Sequence, residues 1–132
     1  MDIDPSEFPL PPYYETIGIE ILEVEPGHAR GRLPLTDAIS ASPSTQVAHG
    51  GAIVSLADSV GYWAVSAAND FATTPTIDLR QDYLAPTVDD LTATATATRS
   101  GSSVGTVDVV VESPETTVTL ARGSFKSSCR DG

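Results

Sequence analysis

The segment from 47 to 69 is the one stretch of this chain long and periodic enough to predict a helix. At about 100° per residue, apolar side chains fall on one side of it and form a core-facing stripe. The stripe consists of Ile53, Leu56, Val60, Trp63, Ala64 and Ala67. The opposite face is also apolar, and it holds Val54, Asp58, Gly61, Tyr62 and Val65. A helix apolar nearly all round is buried nearly all round. We therefore expect one face to lie on the protein's own sheet and the other against a partner chain.

Asp58 is the only ionisable carboxylate between His49 and Asn69. Burying a carboxylate without a purpose costs several kcal/mol or raises its pKa. On a face buried against a partner chain, Asp58 is therefore a candidate functional group. The plain alternative is a solvated residue on an ordinary surface helix.

The predicted helix begins at His49-Gly50-Gly51. Glycines let a ligand approach the backbone closely, and the free N–H groups of a first helical turn carry the positive end of the helix dipole. Such a turn can stabilise a developing oxyanion. The alternatives are that Gly50-Gly51 forms a simple turn and that His49 is a capping or core histidine.

Length and charge limit the class of protein. A chain of 132 residues with 40% hydrophobic content predicts one globular domain, 1–132, with a modest core. The net charge of -11, with Lys126 as the only lysine, argues against a nucleic-acid partner. A lysine-poor, aspartate- and threonine-rich surface resembles cytoplasmic proteins of salt-accumulating halophiles, in which concentrated salt screens self-repulsion. An ordinary acidic protein is the alternative.

The chain offers few metal ligands. Cys129 is the single cysteine and His28 and His49 are the only histidines, so we expect no internal disulfide, no zinc site and no cofactor. The acidic N-terminus does not resemble a signal peptide, and no apolar run is long enough to span a membrane. These features predict a cytoplasmic protein with no membrane partner.

Strands and turns are predicted around the helix. Residues 1–12 are expected to form a loose arm, with a short helical turn near 12–16, and 126–132 a tail. A loop at 40–46 leads into the helix. The strand candidates are 17–25, 29–35, 76–84, 91–99, 106–112 and 117–125. This order predicts an α+β fold, a single antiparallel sheet with one helix covering one face.

These motifs together resemble the hotdog-fold thioesterases of the PaaI type, acyl-CoA hydrolases in which an antiparallel sheet wraps around one long central α-helix. The resemblance covers 13–125, including the opening hairpin. Its most specific part is His49-Gly50-Gly51 followed by Leu56-Ala57-Asp58, with the aspartate nine residues after the histidine. Further along, 76–86 ends in Tyr83-Leu84-Ala85-Pro86 and is similar to the family's Tyr-Leu-x-Pro strand.

The resemblance implies a role for each of four residues. Asp58 would be the catalytic carboxylate, and the backbone N–H of Gly50 would polarise the thioester carbonyl. His49 would help to orient that carbonyl, and Thr76 falls where some members place a hydroxyl near the attacking water. Many members have an amide residue six positions before the histidine, where this chain has Pro43. The sequence leaves open whether Gln46, the nearest amide, takes its place.

The same residue types suit thioester hydrolysis on chemical grounds. A partly desolvated carboxylate can act as base or nucleophile, a helix-start amide can bind the oxyanion, and no metal is required. We expect an apolar channel at a subunit interface to hold the acyl group, in a homodimer or a dimer of dimers. The expected substrate contacts are Gln46, Gly51, Val54, Tyr62 and Val65, with Arg80, Arg99, Ser100 and Arg122 for the CoA phosphates.

Two other functions compete with this one. Gly101-Ser102-Ser103-Val104-Gly105 matches Gly-x-Ser-x-Gly and would make Ser103 the nucleophile of a serine esterase. A nucleophile elbow needs a helix after it, whereas 106–112 reads as a strand, so we interpret the motif as a hairpin turn. The second alternative is a non-catalytic, acyl-CoA-binding hotdog protein. Hotdog dehydratases use a different His-and-acid arrangement on the helix.

Overall fold

A six-stranded antiparallel sheet and one long helix dominate the computed structural model, which describes residues 9–127. The sheet order is β1-β2-β4-β5-β6-β3, where the strands are β1 (Glu20–Glu25), β2 (His28–Leu33), β3 (Thr76–Tyr83), β4 (Leu91–Ser100), β5 (Val104–Glu112) and β6 (Thr117–Lys126). The helices are α1 (Pro12–Ile17) and α2 (Gly50–Ala67), with a 3-10 turn at Asp37–Ile39. The predicted α+β class is confirmed.

The predicted core stripe of α2 packs against the sheet, and all six of its residues are buried. The sheet makes room for the helix with small residues. Ala93 and Ala95 of β4 are fully buried, and a Cβ added at Gly31 of β2 would lie only 2.8 Å from Val60. The absent side chain at Gly31 therefore lets α2 approach the sheet closely.

The second face of α2 differs from the expectation. Val65 is 2% exposed, and it packs against the backbone of Gly105 in β5. Gly61 faces Phe125 of β6, whose ring would lie 2.9 Å from an added Cβ. Val65 and Gly61 therefore both contact the protein's own sheet. The sheet covers more of the circumference of α2 than the predicted core stripe alone. The predicted channel role of Val65 was wrong, whereas Val54, Asp58 and Tyr62 remain half-buried.

The first predicted strand is shorter than expected because the helical turn predicted near 12–16 extends into its start. Pro12 begins α1, and Gly18 ends it in the left-handed region with φ of 92°. Tyr14 of α1 is buried on α2, where its hydroxyl accepts a hydrogen bond of 3.1 Å from the Trp63 indole N–H. Most of the predicted arm, at 1–8, and Cys129 in the predicted tail lie outside the described residues.

Strand β3 is one edge of the sheet and pairs only with β6 among the described strands. A bulge between Thr76 and Asp78 leaves Ile77 outside the regular alternation. Thr76 therefore shares the helix-facing side of the strand with Leu79, Gln81 and Tyr83, the positions paired with the inward-facing residues of β6. This side of β3 lies along α2.

None of the helices within 9–127 has the length and apolar character needed to cross a bilayer.

Candidate active site

Asp58 lies in the middle of α2, and a residue of β3 holds its side chain by a hydrogen bond. The Thr76 hydroxyl donates a hydrogen bond of 2.6 Å to Asp58 Oδ1. The other carboxylate oxygen, Oδ2, has no hydrogen-bond partner within residues 9–127. A carboxylate held by one oxygen and free at the other can accept a proton or attack an electrophile while keeping its orientation.

The Asp58 side chain lines a groove of about 640 Å³ between α1 and α2. Its other walls are mainly aromatic and aliphatic, with two serine hydroxyls among them. They are Pro9, Leu10, Pro11, Pro12, Tyr13, Tyr14, Val54, Ser55, Ser59, Tyr62 and Trp63. A mostly apolar concavity with a few polar groups is typical of a small-molecule site. Val54 and Tyr62, which the sequence predicted as channel walls, are half-buried and line this groove.

Two tyrosines of α1 form the outer wall of this groove. Tyr13 shares a hydrogen bond of 2.7 Å with the hydroxyl of Ser55, and Tyr14 is bonded to Trp63. Burial raises the pKa of the Tyr14 phenol above its ordinary value of 10.0; hydrogen bonds with Ser59 and Trp63 oppose the shift, and the charge of Asp58 adds to it. Tyr14 is therefore a neutral hydroxyl near neutral pH, and it adds no second negative charge beside Asp58.

The first turn of α2 is capped by its own histidine. Nδ1 of His49 accepts a hydrogen bond of 2.8 Å from the Gly51 N–H, so the neutral ring carries its proton on Nε2. From the other side, the Tyr83 hydroxyl donates a bond of 2.9 Å to the carbonyl oxygen of Gly50. The capping alternative for His49 is therefore realised, and the Gly51 amide is already occupied.

The Gly50 N–H is the available donor of this turn. It has no acceptor in the part of the chain that the structure describes, and as the first amide of α2 it has no partner within the helix. The positive end of the helix dipole adds to its attraction for negative charge. Gly50 is therefore an unoccupied backbone donor at a helix N-terminus, as its predicted role would require.

Gly50 and Asp58 do not meet within one chain. They are eight residues apart on the same helix, and a rise of 1.5 Å per residue places them about 12 Å apart along its axis. A carbonyl bonded to Gly50 would be out of reach of the Asp58 carboxylate of the same chain. Within one chain, the carboxylate and the unoccupied amide are thus two separate features of α2.

The remaining predicted contacts lie away from Asp58. The Gln46 amide donates to Asp37 Oδ1 at 2.9 Å, so it does not replace the missing upstream amide in this geometry. Arg80, with its side chain 82% exposed, pairs with Asp82 at 3.6 Å, and Arg122 pairs with Asp108 at 2.7 Å on the outer face of the sheet. Arg99 and Ser100 are exposed at the β4–β5 hairpin, where Arg99 has no carboxylate within ion-pair distance among residues 9–127.

Ser103 lies in the turn between β4 and β5 and is followed directly by a strand. No histidine lines the pocket around it, whose walls are Arg99, Gly101, Ser102, Ser103, Val104 and Thr106. This is the hairpin context expected from the sequence. Nor do the described residues hold a cluster of three or more histidine, cysteine, aspartate or glutamate side chains that could bind a metal.

Sequence reasoning assigned no role to Tyr83 or Gln81, although both face α2 from β3. The amide N and O of Gln81 are buried, and neither has a hydrogen-bond partner in the described part of the chain. The alternation of side chains along β3 places Gln81 and Tyr83 on the same face as Leu79, so the sequence did carry a signal for both residues. The bulge at Ile77 brings Thr76 onto this face as well, and nothing in the sequence marks that bulge.

Comparisons with known proteins agree with this architecture. The family model "Thioesterase superfamily" matches residues 45–120. A Halobacterium salinarum protein named "Putative esterase" is 33% identical over 121 residues, which cover 83% of this chain and 80% of the relative. The fold is similar to a conserved protein from Pseudomonas aeruginosa with a TM-score of 0.83, at 24% identity and coverage of 89% of this chain and 94% of that one.

A further solved structure is that of the PaaI protein from the phenylacetic acid degradation operon of Escherichia coli. It has a TM-score of 0.78 and 26% identity, and the match covers 91% of this chain and 84% of that one. The fold and the central helix thus define a hotdog protein. Because the family model spans more than half of the sequence, the chain belongs to the thioesterase superfamily, and its class is thioester hydrolase.

Proposed function

We propose that this protein hydrolyses acyl-CoA thioesters to the free acid and CoA. The observation that carries the proposal is the pairing of chemistry on α2: a carboxylate with one oxygen held by Thr76 and the other free, and an amide donor without an acceptor at Gly50. Thioester hydrolysis needs a base or nucleophile, together with a donor where the carbonyl oxygen becomes negative.

The complete site would form between two copies of the chain. The separation of about 12 Å within one helix excludes joint action of Gly50 and Asp58 on one carbonyl. Two helices that pack antiparallel would place Asp58 of one protomer near Gly50 of its partner, and a two-fold axis would make two such sites. The exposed apolar side chains of Ile77 and Tyr83 on the edge strand β3 fit a surface that a second copy covers.

The chemical step would use the free oxygen of Asp58. As a general base, Asp58 would remove a proton from water while the water oxygen attacks the thioester carbon. As a nucleophile, it would form an anhydride that water then cleaves. In both routes the carbon–sulfur bond breaks, the CoA sulfur takes up a proton, and the acid is released. The Gly50 N–H would bind the oxyanion of the tetrahedral intermediate.

The two ends of the substrate would meet different surfaces. The groove between α1 and α2 suits the acyl group because its walls are mainly apolar and Asp58 lies in it. Among the three arginines suggested for the CoA phosphates, Arg99 is the best supported, since Arg80 and Arg122 already pair with carboxylates. The acidic composition and the Halobacterium relative support a cytoplasmic enzyme adapted to concentrated salt.

A panel of acyl-CoAs assayed with a thiol reagent tests the activity directly. Asp58→Asn keeps the size of the side chain but removes its charge and basicity, so kcat should fall by roughly 10²–10⁴-fold with little change in KM. Ser103→Ala should retain activity. Binding of acyl-CoA without release of thiol would instead support the non-catalytic alternative. Loss of activity in Ser103→Ala with retention in Asp58→Asn would support the serine esterase.

A further inference from the structure

The peptide unit between Gly50 and Gly51 is held at both of its polar ends. Its N–H, on Gly51, donates to His49 Nδ1 at 2.8 Å, and its carbonyl, on Gly50, accepts from the Tyr83 hydroxyl at 2.9 Å. The two partners come from opposite sides: His49 precedes the helix, whereas Tyr83 reaches across from the end of β3. One turn of backbone is thus fixed by two side chains.

The ring of Tyr83 also packs on Gly50 itself. A Cβ added at Gly50 would meet the Tyr83 oxygen at 3.2 Å and two ring carbons at 3.4 and 3.7 Å. The ring therefore occupies the space beside the glycine, although the residue remains 52% exposed. A tyrosine exposed to this extent contributes less to the core than a buried aromatic side chain, so core packing alone explains its position poorly.

Without these two contacts, the first turn of α2 would be free to move, because it begins with two adjacent glycines. The first amides of a helix have no intrahelical acceptor, and glycine has more backbone freedom than any other residue. A donor that stabilises an oxyanion must hold its direction before the reaction begins, since preorganisation is what makes it effective. The Gly50 N–H lies in the preceding peptide unit, whose carbonyl on His49 accepts hydrogen bonds from the N–H groups of Ala52 and Ile53 at 2.9 and 3.3 Å. Fixing the Gly50 carbonyl as well restricts the φ and ψ angles that join the two units, and with them the direction of the Gly50 N–H.

We propose that Tyr83 is a positioning residue that fixes the Gly50 turn and thereby aims the Gly50 N–H at the thioester carbonyl. This inference rests on the proposed function. Tyr83 acts through the backbone and does not touch the reacting atoms, so its contribution belongs to the transition state more than to substrate binding.

The test compares Tyr83→Phe with Ser113→Ala. Tyr83→Phe removes only the hydroxyl, and Ser113→Ala removes another hydroxyl-to-carbonyl bond, from Ser113 to Thr116, in the turn between β5 and β6. Tyr83→Phe should lower kcat by roughly three- to tenfold, the effect of one hydrogen bond, with KM unchanged. Ser113→Ala should leave both constants unchanged.

Amide NMR provides a readout that does not depend on activity. In Tyr83→Phe the amide signals of Gly50 and Gly51 should shift and the Gly51 N–H should exchange faster with solvent, whereas Ser113→Ala should leave both signals in place. Unchanged amide signals in Tyr83→Phe overturn the proposal. If the wild type hydrolyses acyl-CoA, an unchanged kcat in Tyr83→Phe overturns it as well. If the wild type hydrolyses no acyl-CoA, the proposed function fails, and the two amide signals alone decide whether Tyr83 fixes the turn.

Discussion

Asp58 and Gly50 lie on the same helix, yet the protein holds them by different means. Asp58 is a side chain with one hydrogen bond, from Thr76, and it lines an open groove. Gly50 offers a backbone N–H, and its turn is held by the His49 cap on the Gly51 N–H and by the Tyr83 hydroxyl on the Gly50 carbonyl. The two groups therefore depend on their neighbours to different degrees. A carboxylate is reactive by itself, whereas a backbone amide becomes a specific donor only when neighbouring residues fix its turn. We call Asp58 the side-chain half and Gly50 the backbone half of the proposed site.

After Asp58→Asn, the largest effect is expected at the backbone half. Gly50→Pro removes the proposed oxyanion donor, and proline is favoured at the first position of a helix. His49 has φ of -65° and ψ of 137°, which suits a residue before proline. We expect kcat to fall by roughly 10²–10³-fold, the usual effect of one lost oxyanion donor.

Gly50→Ala is the matched control for this experiment. It adds the same Cβ against Tyr83 but retains the N–H, so it reports the steric part of the change alone. Steady-state kinetics and thermal melting of both variants make the comparison. If the proline and alanine variants have equal kcat, the Gly50 N–H is not the oxyanion donor.

A smaller effect is expected from the hydrogen bond that holds the side-chain half. Thr76→Val keeps the shape and β-branching of the strand residue but removes the hydroxyl that holds Asp58 Oδ1. Loss of one hydrogen bond to a charged group should lower kcat by about tenfold. Thr76→Ser, which keeps the hydroxyl, should stay close to the parent. Equal activity of the valine and serine variants would mean that Asp58 keeps its orientation without this bond.

Salt is expected to change activity by a few-fold through assembly. Each chain carries a formal net charge of -11, so two copies repel at low ionic strength, and molar salt shortens the screening length to about 3 Å. Light scattering and activity, measured together from low to molar KCl, should show dimer formation and turnover rising in parallel. A monomer that is fully active at low salt would contradict a site shared between two copies.

The smallest effect is expected in the middle of β3, between the residues that contact Asp58 and Gly50. Gln81 buries an amide without a hydrogen-bond partner among the described residues. Gln81→Leu removes that desolvation cost and should raise the free energy of unfolding by about 1 kcal/mol. Denaturant titration measures the gain, and kcat should be unchanged. A tenfold loss of kcat would instead make Gln81 part of the site.

The sequence predicted the fold, and it singled out the two proposed reacting groups but not the contacts that hold them. The helix at 50–67 and the strands were predictable because hydrophobic periodicity and turn residues mark them locally. Asp58 stood out as a lone carboxylate on an apolar face. The contact of Val65 with Gly105 and that of Tyr83 with Gly50 depend on how the sheet curves around α2 and on the bulge at Ile77. No local pattern encodes that curvature.

Complementation between two inactive variants tests the shared site most directly. Asp58→Asn and Gly50→Pro are each expected to be inactive alone. In a mixed dimer, one of the two sites pairs the intact Asp58 of one protomer with the intact Gly50 of its partner. Co-folding equal amounts should therefore restore roughly a quarter of the wild-type activity, since half of the dimers are mixed and each has one working site. If both groups acted within one chain, every site in the mixture would carry a defect and activity would not recover; that result would contradict a site built from two copies.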